Sequence, residues 1–144
     1  MKPALKIAGA TFGLLLLQGC VTTYQIKPGD EVATLRNVGH GRTQMCLDGK
    51  LYWPPDAEKT PGAFNVPAGS RLTVGAYISS EGYQVTHFCR PFMSFEPKAG
   101  QSYVMNSALS GPGVCGVELV RVDDATPSGL TLEPSVGRAA CGTR

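Results

Sequence analysis

The chain has 144 residues, a length that fits one domain and can bury roughly two thirds of its unfolded surface without help from a cofactor. Its formal charge of +2 comes from Lys2 and Lys6, because from Cys20 onward eleven Lys and Arg residues stand against eleven Asp and Glu residues, evenly spread. No basic stripe is left to meet nucleic acid, and no polybasic patch to meet an anionic membrane.

Lys2 and Lys6 precede an apolar run from Ile7 to Leu17 that contains Gly9 and Gly13. As a helix, eleven residues rise about 16 Å, little more than half of a ~30 Å hydrocarbon core. A positive start, a short apolar middle and small residues at its end describe a secretory signal peptide rather than a membrane span. The run closes on Leu17-Gln18-Gly19-Cys20, which resembles the lipobox of bacterial lipoproteins. The resemblance covers residues 1–20 and implies cleavage after Gly19, a diacylglyceryl thioether on Cys20, and an acylated new amino terminus carrying palmitate-type chains. One acyl chain holds a protein marginally, whereas two or more hold it for long times. Val21 stands where the family's inner-membrane retention signal places Asp, so the resemblance implies the outer membrane, periplasmic face. The expected organisation is a signal peptide over 1–19, a lipidated terminus and short tether over 20–30, and one folded domain over 31–144.

The mature part carries short runs of β-type residues divided by turn signals, and no helical apolar periodicity. After Pro28-Gly29, strands are predicted over 32–38 and 42–47. Asp48-Gly49 is a two-residue hairpin signal, because a type I′ turn needs positive φ at both positions, and it leads into Leu51-Tyr52-Trp53. Pro54-Pro55 ends that strand, since proline cannot donate to a ladder. Further strands are predicted over 63–66, 71–79, 83–90, 92–95, 102–109 and 114–122, with Leu130-Thr131-Leu132 as a last short one. In 71–79, Leu72, Val74, Ala76 and Ile78 alternate with smaller or polar residues, the period of a half-buried strand. The stretch FEPKAGQSY, residues 95–103, resembles a hairpin recurrent in small bacterial lipoproteins with β-sandwich domains. The predicted fold is all-β, an antiparallel β-sandwich with a small β-barrel as the alternative. Phe92, Phe95, Tyr103 and Tyr83 are expected in the core, and the Pro- and Gly-rich tail from Asp123 is expected to wrap the domain edge.

Beyond Cys20, an even number of cysteines remains: Cys46, Cys89, Cys115 and Cys141. Outside the reducing cytosol, two disulfides are the default, and three pairings are open. Cys46 with Cys89 and Cys115 with Cys141 is the favoured one, since the second pair would pin the tail to a strand. His87-Phe88-Cys89 puts two metal-ligand types on one strand face, with His40 elsewhere. Paired ligands at two to four residue spacing, the usual mark of zinc, do not recur, so no metal and no cofactor is expected.

Chemistry has little to start from. His40 stands between two glycines, and His87 lies in a strand. Gly111 to Gly116 fits Gly-x-Gly-x-x-Gly, yet a strand pattern follows where phosphate binding needs a helix N-terminus. Asp123 and Asp124, being adjacent, would point to opposite faces of a strand. The expected function is therefore a non-catalytic binding or structural module, lipid-anchored in the cell envelope, with an envelope protein or glycan as partner and no nucleic acid. Tyr52 and Trp53, at a strand end beside a polar loop, are read either as a plug capping one end of the sandwich core or as a candidate recognition patch. The alternative is a small periplasmic hydrolase using His87.

Overall fold

A computed structural model describes residues 21–55 and 62–142. All regular structure among them is strand: β1 (Thr22–Thr23), β2 (Val32–Asn37), β3 (Arg42–Leu47), β4 (Lys50–Trp53), β5 (Ala63–Pro67), β6 (Leu72–Gly82), β7 (Val85–Cys89), β8 (Phe92–Phe95), β9 (Ser102–Gly111), β10 (Val114–Val122), β11 (Leu130–Leu132) and β12 (Gly137–Arg138). They form two sheets, one ordered β1-β4-β3-β6-β8-β12 with β7 paired to β6, the other β11-β10-β9-β2-β5. The sheets face each other as a β-sandwich and do not close into a barrel. Both are mixed rather than purely antiparallel, because β1 runs parallel to β4 and β2 parallel to β9.

Alternation decides which residues meet between the sheets. Leu72, Val74, Ala76 and Ile78 on β6 are all buried, as their period predicts, and Leu72 and Val74 join Met45, Phe95, Leu35, Tyr103 and Met105 in the core cluster. Tyr103 is fully buried with its ring edge-on to Phe95 at 4.9 Å, and its hydroxyl accepts from the Lys98 amide at 3.0 Å. The polar tip of a buried tyrosine is thereby satisfied. At the β3–β4 turn Asp48 and Gly49 take φ of 50° and 75°, the paired positive values the Asp-Gly signal calls for.

Two aromatic expectations are corrected. Tyr83 sits in the β6–β7 turn and is 90% exposed, because the strands on either side stop at Gly82 and Val85. Phe92 is half-buried on the outer face of its sheet, where its ring lies over Gly75, its register partner.

The tail runs along the sheet edges, where β11 pairs with β10 and β12 with β8. Arg71 beside β6 gathers the segment before β12. Its Nη1 donates to Ser94 Oγ at 3.1 Å and to the Ser135 carbonyl at 3.0 Å, and its Nη2 to Glu96 Oε1 at 2.9 Å. Glu133 is buried, accepts from the Ser135 amide and hydroxyl at 3.1 and 2.7 Å, and lies 4.0 Å from the Arg121 guanidinium.

The register gives the molecule two poles. Thr22 is level with Tyr52, Tyr52 with Met45, and Met45 with Val74. The start of the described chain thus lies near the beginning of β6. The β6–β7 turn lies eight residues further along that strand, on the order of 26 Å away.

Candidate functional site

Cys20, the expected lipidation point, lies outside the described residues. Its neighbours are placed: Thr22 and Thr23 pair with Tyr52 and Trp53, the Tyr24 amide donates to the Trp53 carbonyl at 2.8 Å, and the Tyr24 ring stands edge-on to Tyr52 at 5.6 Å. Residues 22–24 are therefore part of the sheet rather than a free tether. One residue, Val21, stands between position 20 and the first paired one, a reach of at most about 7 Å.

Tyr52 and Trp53 do not make an open patch. Tyr52 points inward and packs on the core cluster. Trp53 points outward, is half-buried, and carries the Arg42 guanidinium 3.7 Å above its ring. Such a stacked cation screens the aromatic face while keeping its own charge wet. The loop beginning at Asp56, beside which the patch was expected, lies outside the described residues up to position 61.

One group of exposed apolar residues lies at the other pole, while Leu132, Val38 and Leu130 are exposed elsewhere. Tyr83 at 90%, Phe88 at 65%, Val114 at 58% and Val85 at 45% exposure belong to two neighbouring hairpin ends, β6–β7 and β9–β10. Sequence reasoning missed them: Tyr83 lies in the turn between β6 and β7, and Phe88, between inward-facing His87 and Cys89, points to the outer face, where among the described residues no further layer covers it. Beyond Ile78 the core has run out, and the same alternating side chains meet water. The available signal was length: β6 and β9 have eleven and ten residues, longer than the average strand of five or six.

All four remaining cysteines are paired, in a pattern different from the favoured one. Cys46 joins Cys141 and Cys89 joins Cys115, with Cα–Cα distances of 5.7 and 6.3 Å. Facing explains the correction. Met45 and Leu47 point into the core, so Cys46 between them points out and meets the tail as it crosses that face. Cys89 is level with buried Ile78, and Cys115 lies two residues from core-packed Val117. Both point inward from opposed sheets and meet across the sandwich, tying the two protruding hairpins together.

His87 continues that inward row. It is half-buried opposite Ser80, and a Cβ on Gly113 would lie 4.0 Å from its Nδ1 and one on Gly82 3.8 Å from its Nε2. The β9–β10 turn is thus seated against the imidazole. His40 is exposed, in the loop between β2 and β3. Its amide donates to the Ser107 carbonyl at 2.6 Å, and its carbonyl accepts from Ser107 Oγ. Ser107, fully buried, spends its hydroxyl on closing that loop. Among the described residues, no three His, Cys, Asp or Glu side chains gather as a metal centre. Gly111 to Gly116 forms the β9–β10 turn, and Asp123 shapes the next loop by accepting from the Ala125 amide at 3.1 Å. No protein-family model matches the chain, and no curated protein or solved structure is significantly similar to it.

Proposed function

We infer that the protein is a lipoprotein of the cell envelope, held through Cys20 on the periplasmic face of the outer membrane. There it serves as a non-catalytic binding or structural module for an envelope protein or glycan. The reading is supported above all by the position of Thr22 and Thr23. A lipid on Cys20 would tie the membrane to a paired strand with almost no slack, and the exposed side chains of Tyr83, Phe88, Val85 and Val114 would stand at the pole turned away from it. Apolar surface gathered in one place on a monomer marks contact with something else. Two disulfides fit an oxidising compartment.

Growth with a labelled fatty acid tests the anchor. Cys20→Ser is expected to abolish labelling and to accumulate the uncleaved precursor, and normal labelling of that variant would overturn the reading. A photo-crosslinking residue at Phe88 in intact cells tests the pole. It is expected to yield a discrete adduct that the same residue placed at Glu118 does not give; equal adducts from both positions would remove the docking role.

A further inference from the structure

The outer face of the smaller sheet carries an apolar strip where a solvated strand face ordinarily carries polar residues. Val120 on β10 is level with Val104 on β9 and with Leu132 on β11, and Val122 is level with Leu130. Leu119 and Met105 are buried between the sheets, so their neighbours Val120 and Val104 point outward. Val38 follows β2 onto the same face, its amide donating to the Met105 carbonyl at 2.9 Å. Leu132 is 81% exposed, Val38 54% and Leu130 42%. Val38, Val104, Val120 and Leu130, with Asn106 and Glu118, line a hollow of about 280 Å³ in this face.

Two opposite charges flank the strip. Arg36 on β2 is level with Val104, and Glu118 on β10 is level with Asn106. Both are exposed, and neither makes an ion pair among the described residues. They stand one strand to either side of β9 and two residues apart along it, about 12 Å from each other. A two-fold axis lying in the interface, crossing β9 at Met105 and perpendicular to the line between these charges, would set Arg36 of one protomer against the partner's Glu118, and the reverse pair with it. By the register, the same operation brings Val104 against the partner's Val120 and Leu130 against the partner's Val122. Apolar side chains thus meet apolar ones wherever the charges meet their opposites. The axis also leaves the Thr22 poles of both protomers on one side, as two copies held in one membrane require. Five strands wide and about 20 Å along them, the face offers on the order of 500 Å² per copy, the low end for a specific interface. The association is therefore weak and reversible in solution, and is favoured where copies are concentrated on one surface.

We propose that the outer face of the smaller sheet is a homodimer interface, in which a second copy of this chain covers the strip of Val104, Val120 and Leu130, and Arg36 pairs with the partner's Glu118. These contacts do not depend on the lipid anchor.

Sedimentation velocity of the purified full chain over about 0.01 to 1 mM tests it. A reversible monomer–dimer equilibrium is expected. Arg36→Glu and Glu118→Arg are each expected to weaken it about tenfold or more, because symmetry alters two contacts at once and turns each attraction into repulsion. An equimolar mixture of the two variants is expected to recover the original affinity as a heterodimer. Leu130→Glu is expected to weaken the dimer and to find no such rescue. All three side chains are exposed, so the variants remain folded, which circular dichroism checks. In intact cells a crosslinker at Glu118 captures a second copy of this chain, distinct in mass from the adduct formed at Phe88. A monomer throughout the range, a dimer indifferent to Arg36→Glu, or a mixture no tighter than either variant alone overturns the proposal, whatever the fatty-acid labelling shows.

Discussion

Cys46 and Cys141 stand 95 residues apart in sequence and are bonded on the outer face of the larger sheet. Closing so long a loop removes much freedom from the unfolded chain, worth about 4.7 kcal/mol on chain-entropy grounds. Cys141→Ser is accordingly expected to lower unfolding stability by about 2 to 4 kcal/mol in urea titrations, with the β-sheet circular dichroism of the native protein retained. A loss below about 0.5 kcal/mol would show that the tail holds without its bond.

Gly75 tolerates no side chain. A Cβ there would run into the Pro91 carbonyl and come within 2.6 Å of the Phe92 ring, and the Ala76 amide must still reach the Pro91 carbonyl at 3.3 Å. Gly75→Ala is expected to cost about 1 to 3 kcal/mol through overpacking, visible as a lower thermal midpoint. Pairing it with Phe92→Ala should not recover the loss, because the backbone clash persists.

Glu133 is buried with both Ser135 donors aimed at one of its oxygens and Arg121 near the other. Glu133→Ala strands these partners and should destabilise by about 1 to 3 kcal/mol. Hydrogen exchange would report the loss in 130–138 first. Uniform loss of protection across β9 and β10 would instead place this contact in the global unfolding unit.

Tyr83 and Phe88 contribute surface and little packing. The double change Tyr83→Ser with Phe88→Ser is expected to leave stability within about 0.5 kcal/mol while reducing adducts formed from a crosslinker at Val114. A large stability loss would assign these rings to the core after all.

Most of the architecture was legible in the sequence, for a local reason. Where residues alternate over five or more positions, as in Leu72 to Ile78, the pattern and its flanking turns fix a strand within a residue or two. β1 and β12 escaped because two residues carry no period; Thr22 and Gly137 are strand residues only because β4 and β8 offer them open edges. The disulfide pattern escaped for a related reason, since it depends on which sheet lies opposite Cys89, a fact of topology that no spacing encodes. The site was the least legible. Tyr52 and Trp53 drew notice as aromatic residues beside prolines, yet one is turned into the core and the other roofed by Arg42. Arg71 and Ser135, 64 positions apart, are bonded only because the tail returns to pair β12 with β8.

β6 belongs at once to the sandwich, through β3 and β8, and to the projecting hairpin, through β7. A pull on the hairpin along its axis would load the ladders of this single strand in shear, many hydrogen bonds at a time, rather than peeling them one after another. With Cys89–Cys115 joining the base of that hairpin to the start of β10 and Cys46–Cys141 clamping the opposite half, such a load would be passed on to both sheets instead of resting on one ladder.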